Sequence, residues 1–333
     1  MYILGIESSC DETSAAVIET DGTKHRICSN IVASQIDIHR LYGGVVPEIA
    51  GRAHIEAVSS ITYQALEEAG ISIRDIGAIG VTASPGLIGA LLVGVNFAKS
   101  LAFSYGIPLV PVDHVKGHTA AAYLEYEGLT APFLSVVVSG GHTSIYEVRD
   151  PVTFCEIGST RDDAAGEAFD KIARVIGIPY PGGAGLDKLA HEGDKKAIQF
   201  PSPAIVGDNL DFSFSGLKTA ALNYINIAKQ KEEEINRADL AASYTDTIVK
   251  AVVKKTKAAL DETGARTLVL AGGVAANSHL RTGLSELCTK KKVDFCVPSL
   301  KLCSDNAAMI AMQAYWEFMV GVRADTSLNA SAV

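Results

Sequence analysis

The stretch Tyr2-Ile3-Leu4-Gly5-Ile6-Glu7-Ser8-Ser9-Cys10-Asp11-Glu12-Thr13-Ser14-Ala15-Ala16-Val17-Ile18 decides the fold, because the apolar runs 3–6 and 15–18 flank a polar turn over 7–14. That pattern predicts a β-hairpin. It returns at Phe133-Leu134-Ser135-Val136-Val137-Val138, with the turn Ser139-Gly140-Gly141-His142-Thr143 and the run Ser144-Ile145-Tyr146-Glu147-Val148. A repeated opening predicts an internal duplication. The fold class is therefore α/β, with two lobes that each open on a hairpin and bury a mixed sheet under helices. Residues 128–132, running from Gly128 to Pro132, mark the break between them. A cleft between such lobes is a natural ligand site.

The 333-residue length agrees with two domains, and 48% apolar with 20% charged residues excludes a collagen or a disordered chain. Six cysteines without a C-x-x-C pair fit reduced thiols of a cytosol, each also readable as a small buried hydrophobe. No secretory signal is expected, since the first apolar run lacks a basic flank and stops at Glu7. Residues 76–98 carry no charge and are long enough to suggest a membrane span. Pro85-Gly86 divides them, however, so the expectation is a buried strand followed by a core helix, with no membrane.

A formal charge of −9 disfavours a chain that grips nucleic acid alone. Lys290-Lys291-Lys292 and the helical run Lys250, Lys254, Lys255, Lys257 would make one basic face, and they equally fit a solvated surface.

After an apolar strand, Asp113 is a good helix N-cap for His114-Val115-Lys116-Gly117-His118. Residues at i and i+4 share a helix face, so His114 and His118 can reach one cation; a structural pair has the same spacing. The metalloprotease motif H-E-x-x-H is not met, because Val115 stands where the water-activating glutamate would be. Asp305, expected in the first turn of a helix beginning near Ser304, is a candidate third ligand, although the helix dipole favours an acid there without any metal.

Glycine turns at Ser139-Gly140-Gly141 and Pro181-Gly182-Gly183-Ala184-Gly185 could cradle a nucleotide, yet neither is a Walker or Rossmann fingerprint. Between them a helix with the apolar stripe Ala165, Phe169, Ile172, Ile176 carries Asp170, which could simply pair with a lysine. The run Thr267-Leu268-Val269-Leu270-Ala271 enters Gly272-Gly273 and then a helix after Asn277-Ser278. Free amides at such a start attract anions, and an ordinary strand-to-helix loop looks the same.

Taken together, these residues resemble one family, the TsaD type of tRNA threonylcarbamoyladenosine synthase, once catalogued as O-sialoglycoprotein endopeptidases. The resemblance covers nearly the whole chain. It is carried by Gly5-Ile6-Glu7-Ser8-Ser9-Cys10-Asp11-Glu12-Thr13, Gly43-Gly44-Val45-Val46-Pro47-Glu48, Ser84-Pro85-Gly86-Leu87, Asp113-His114 with His118, Ser139-Gly140-Gly141-His142-Thr143, residues 163–170, Phe212-Ser213-Phe214-Ser215-Gly216-Leu217-Lys218 and Gly272-Gly273-Val274-Ala275-Ala276-Asn277.

The resemblance implies a two-lobed fold like that of actin, sugar kinases and heat-shock chaperone ATPases, with duplicated mixed-sheet domains. The first lobe is expected at 1–128, completed by a C-terminal helix at 304–321, the second at 129–303, and a tail at 322–333. It implies that His114, His118 and Asp305 hold one Fe2+ or Zn2+ ion per subunit. Val137, Val138, Ser139, Gly140, Gly141, Asp170, Gly183, Asp187 and Asn277 would hold an adenylate or ATP-type nucleotide. One departure is Val137, where archaeal relatives carry a metal-binding tyrosine, which leaves the fourth coordination position open.

The implied reaction moves a threonylcarbamoyl group from threonylcarbamoyl-AMP to the N6 amine of the adenosine 3′ to the anticodon, in tRNAs reading codons that begin with A. Asp11, with Glu12 beside it, is the candidate for accepting or orienting the amine proton, since a carboxylate on a hairpin tip can face a cleft. A turn aspartate that bonds its own backbone fits the position as well. The implied partners are tRNA, a TsaB-like paralogue and a TsaE-like ATPase, and the implied place is the cytoplasm. Lys250–Lys257, Lys290–Lys292, Arg40 and Arg52 are candidate tRNA contacts. A kinase-like ATPase of the same fold would leave the histidine pair without a task, and a non-catalytic scaffold would be expected to have lost His114, His118 or Asp305.

Overall fold

The chain begins with β1 (Tyr2–Glu7), β2 (Glu12–Thr20), β3 (His25–Ser34), α1 (Ile36–Arg40), α2 (Pro47–Ala69), β4 (Ile76–Ser84), α3 (Ile88–Tyr105), β5 (Leu109–Asp113) and α4 (His114–Ala120). It continues through β6 (Phe133–Val138), β7 (Thr143–Val148), β8 (Phe154–Ser159), α5 (Ala165–Val175), α6 (Gly182–Ala190), α7 (Ser215–Gln230), α8 (Arg237–Thr263), β9 (Thr267–Ala271), α9 (Ser278–Lys291) and β10 (Asp294–Cys296). It closes with α10 (Leu300–Cys303) and α11 (Ala307–Met319). This computed structural model describes residues 1–333 apart from 204, 206 and 208.

Two compact units result. One comprises Met1–Ala131, Arg149–Phe154 and Pro298–Val333, the other Pro132–Val148 and Cys155–Val297. These bounds differ from the expected lobes, since the first unit runs past 128, resumes at Pro298 rather than 304, and keeps residues 322–333. The C-terminal segment stays because it bonds to that unit's sheet and helix: Ala324 N donates to Leu109 O at 2.9 Å, Ser331 N to Ala83 O at 2.9 Å, and Lys99 Nζ to Leu328 O at 2.9 Å.

Each unit contains one five-stranded sheet, ordered β3-β2-β1-β4-β5 in the first and β8-β7-β6-β9-β10 in the second. In both, an antiparallel hairpin (β1/β2, β6/β7) is joined on its other side by parallel strands (β4 and β5, β9 and β10). The repeated hairpins of the sequence are thus the first strands of two sheets of like topology. The first hairpin tip is shorter than expected. Glu12 and Thr13 belong to β2, because β3 pairs with them through Ser34 and Ala33.

Helix α11 lies on β1 and β4 of the first sheet, with residues from Ala307 to Met312 fully buried. The approach is close enough to require Gly5: a Cβ there would stand 2.2 Å from Ala307 O and 2.7 Å from Ala311 N. That contact fixes where the segment before α11, carrying Asp305, meets the sheet. The uncharged stretch 76–98 divides into β4 and α3, as Pro85-Gly86 predicted. Among the described residues α3 is the one helix long and apolar enough to cross a membrane, and its Ala90, Leu91, Val95 and Ala98 are wholly buried in the first unit's core.

Candidate functional site

The end of β5 delivers Asp113, whose carboxylate accepts from Val115 N at 2.8 Å and Lys116 N at 3.0 Å and so starts α4 as expected. One turn of α4 then carries His114 and His118, both buried, with ring centroids 4.7 Å apart. Asp305 meets them: its Oδ1 lies 3.5 Å from His114 Nε2 and 3.2 Å from His118 Nε2. The expected trio is therefore assembled within the first unit. Asp305 itself is not in a first helical turn; it precedes Asn306, whose Oδ1 caps α11 by accepting from Met309 N at 3.1 Å. The helix dipole therefore does not account for its place.

His118 is the unusual member. Its approach to Asp305 lacks the alignment of a hydrogen bond, so among the described residues both of its ring nitrogens are buried without a hydrogen-bond partner. Such groups are costly to leave unmet and point to a missing ligand. Two imidazole nitrogens and one carboxylate oxygen form a donor set that suits zinc or ferrous iron.

Behind His114 stands Glu7, to which sequence reasoning assigns no role. His114 Nδ1–H donates to Glu7 Oε2 at 2.9 Å, with Ser9 Oγ 3.2 Å from the same nitrogen. Glu7 also accepts from Ser9 N and, at 2.7 Å, from Thr82 Oγ1. A carboxylate that orients a histidine in this way sets its tautomer and leaves Nε2 for the ligand side. A signal for it exists in the sequence: a charged residue ends the apolar run 3–6, and a charge at the end of a buried strand persists only with partners. Burial tends to lower the His114 pKa, but the Asp305 and Glu7 carboxylates outweigh it and hold the imidazole well above its usual range. For Asp305 and for Glu7, burial pushes upward and the charge and hydrogen bond of His114 prevail, leaving both carboxyls below their usual range.

Asp11 and Glu12 also fall in this unit. Asp11 is buried at the hairpin tip, which His54 holds from beneath through Thr13 Oγ1 at 2.7 Å and Cys10 O at 3.0 Å. Burial, then the charges of Asp305 and Asp11, push Glu12 up to about 10. At neutral pH Glu12 thus holds a proton, which makes it a donor beside Asp11 rather than a second acceptor.

In the second unit, Val137 and Val138 are buried strand residues of β6, whereas Gly140 and Gly141 are exposed just beyond it. Among the described residues the amides of Gly140 and Gly141 make no hydrogen bond. The turn is fixed around them: Ser139 N donates to His142 O at 2.8 Å, and His142 N to Ser139 Oγ at 3.1 Å. This is a preformed pair of donors for an anion. The second glycine turn differs from expectation. Asp170 Oδ1 accepts from Gly182 N at 2.8 Å and Gly183 N at 3.1 Å, so those amides face a carboxylate at the start of α6. Asn277 uses its Oδ1 to cap α9, accepting from Leu280 N at 2.9 Å, while Asp187 accepts from Ser278 N at 3.2 Å and faces His279. The Gly272 turn that precedes them has φ 91°, and a Cβ there would stand 2.4 Å from Val138 O.

The basic residues separate into two groups. Lys250, Lys254, Lys257, Lys290 and Lys291 line one groove of about 920 Å³ between α8 and α9, with Lys195 at its edge. Lys255 is not on that face; it is buried, and its Nζ donates to Asn209 O at 2.6 Å. Arg40 and Arg52 are exposed and pair within their own helical segments, with Asp37 at 3.1 Å and Glu48 at 2.9 Å.

A profile of the family TsaD, tRNA N6-adenosine threonylcarbamoyltransferase, matches residues 26–312. A protein of that name from Clostridium botulinum (strain 657 / Type Ba4) is 52% identical over 328 residues, covering 98% of this chain and 96% of the relative. One from Moorella thermoacetica is also 52% identical, over 98% of this chain and 95% of the relative. Among solved structures, the (R)-2-hydroxyglutaryl-CoA dehydratase component A of Acidaminococcus fermentans superposes with a TM-score of 0.56 at 15% identity, over 95% of this chain and 98% of that one. That likeness concerns the fold alone. By the matched profile and the identity sustained along its length, the chain belongs to the TsaD family of tRNA N6-adenosine threonylcarbamoyltransferases.

Proposed function

We propose that this chain transfers the threonylcarbamoyl group of threonylcarbamoyl-AMP to the N6 amine of the adenosine 3′ to the anticodon, in tRNAs reading codons that begin with A. The observation that carries this reading, in a member of this family, is the convergence of the buried His114 and His118 with the partly exposed Asp305, with two unmet nitrogens on His118. In the transfer, the amine nitrogen attacks the carbamoyl carbon, the new C–N bond forms, the bond to the phosphate oxygen breaks, and AMP leaves. The donor already has a good leaving group, so alignment and charge stabilisation supply most of the acceleration.

His114 Nε2, His118 Nε2 and Asp305 Oδ1 would hold the iron or zinc ion. Once bound, that ion supplies Lewis-acid polarisation and a template for substrate oxygens. Glu7 keeps His114 in the tautomer that offers Nε2. Asp11, with Glu12 beside it, accepts or orients the amine proton. The free amides of Gly140 and Gly141 bind the phosphate or the developing oxyanion. Asp170 acts through the start of α6, which it holds, and Gly183, Asp187 and Asn277 complete the nucleotide set together with the backbone of Val137, Val138 and Ser139. A net charge of −9 supports tRNA binding shared with other subunits; by family, these are a TsaB-like paralogue and a TsaE-like ATPase, in the cytoplasm.

The test is to incubate the purified chain and those partners with threonylcarbamoyl-AMP and unmodified tRNA, then digest and analyse the nucleosides by mass spectrometry. Threonylcarbamoyladenosine at that one position is expected. Its absence with every component present contradicts the reading.

A further inference from the structure

A second cluster of metal-ligating side chains lies in the second unit, far in sequence from the first trio. Asp187 on α6, His191 immediately after that helix, and Ser278 and His279 in the first turn of α9 converge there. His279 Nδ1 is 2.9 Å from Asp187 Oδ1, and His191 Nε2 is 2.7 Å from Ser278 Oγ. The same hydroxyl is 3.1 Å from Asp187 Oδ1 and 3.4 Å from His279 Nδ1. Ser278 Oγ thus sits amid two imidazole nitrogens and one carboxylate oxygen, and Asp187, His191 and His279 each offer a ligand atom within 4.8 Å of the others.

The rings of His191 and His279 are stacked, with centroids 4.2 Å apart and planes 30° from parallel.

We propose that Asp187, His191 and His279 form a second divalent-metal site of the zinc class. Two imidazoles and one carboxylate are a common three-ligand zinc set, with Ser278 Oγ or water available for the fourth position. Nitrogen donors select against calcium and magnesium, which require mostly oxygen. Asp187 and His279 lie on two helices already bonded through Ser278 N and the Asp187 carboxylate, and His191 directly follows the first of them. The bound ion clips α6 to α9. The proposal does not rest on the transfer reaction, although Asp187 is shared with the proposed nucleotide set.

Zinc itself is the probe. The full chain is stripped with chelator, equilibrated with micromolar zinc, separated from free metal and counted by plasma mass spectrometry. A variant carrying His114→Ala and His118→Ala lacks the first trio's histidines and is expected to retain one zinc per chain. Adding His191→Gln and His279→Gln is expected to remove it, with circular dichroism showing that the fold persists. Should the first variant fail to fold, the wild-type chain is compared with His191→Gln/His279→Gln alone, where a loss of one zinc per chain is expected. No zinc in the first variant, or a count that survives the loss of both second-unit histidines, would overturn the proposal. The zinc count is taken without substrate or transfer, so a failed transfer assay leaves it untouched.

Discussion

Glu7 Oε2 accepts a hydrogen bond from His114 Nδ1 at 2.9 Å, with the two side chains 1% and 6% exposed, so the face of His114 that meets Asp305 is set from behind. The contact links the first strand of the chain to α4 and makes Glu7 part of the centre without being a ligand. Glu7→Gln retains size and loses charge. It is expected to weaken metal binding by about 10- to 100-fold while the chain stays folded, measured by competition with a chelator of known affinity. Unaltered affinity would show that His114 needs no such support.

The same charges make the centre sensitive to pH. His114 is protonated well above its ordinary value, because Asp305 and Glu7 outweigh the effect of burial. An ion on Nε2 must displace that proton, so affinity rises with pH and binding releases a proton. Calorimetry in buffers of different ionisation heat reads the release directly, and a pH-independent affinity contradicts it. In chelator-treated protein, the stability that His114 contributes is fully present below pH ~6.5, the unfolded value, and is lost as pH rises through the raised folded value. Glu7 and Asp305 act oppositely. Their contribution is present above the ordinary carboxyl range and is lost as pH falls through their lowered values. Denaturant midpoints across pH should fall at both ends.

Asp11 and Glu12 form an unequal pair, with Glu12 pushed up to about 10. Asp11→Asn is expected to lower the transfer rate by roughly 10²- to 10⁴-fold, the range for loss of a general base, with tRNA binding unchanged. Full activity in that variant would remove Asp11 from proton handling.

The lysine groove offers a test of tRNA binding. Lys291 bonds Asp261, and Lys257 lies 2.8 Å from that same carboxylate, so part of the positive charge is already neutralised. Changing Lys290, Lys291 and Lys292 to glutamate is expected to weaken tRNA binding and flatten its dependence on salt, by roughly 0.9 in log–log slope for each phosphate that the chain no longer neutralises. Equal slopes for variant and wild type would clear this face of a role.

What can be read from sequence follows the range of the interaction that fixes each residue. Local patterns suffice for the hairpins: β6 ends where the Ser139-Gly140-Gly141 turn begins and β7 starts at Thr143 after it, and Asp113 caps α4 through amides two and three residues on. The local pattern puts Glu12 in the tip, whereas its strand pairing comes from β3, which that pattern does not contain. Asp170 stands beside Lys171 in sequence, but it accepts from the amides of Gly182 and Gly183, set by how α5 packs against α6. Lys255 matches its neighbours in period and turns inward to Asn209, a contact between distant segments. The trio itself is legible as residue types, two histidines one turn apart and a distant acid. Its assembly depends on α11 reaching the sheet across Gly5, and the roles of Glu7, Ser9 and Thr82 on folding across the sheet.

The bound-metal content of His118→Ala compared with the wild-type chain, both folded and both loaded under the same iron or zinc concentration, bears most directly on the centre. One ion fewer per chain in the variant is the predicted result, because the substitution removes the trio's two ring nitrogens that no described protein group satisfies. Equal metal content in the two proteins would mean that His114, His118 and Asp305 do not meet at a cation.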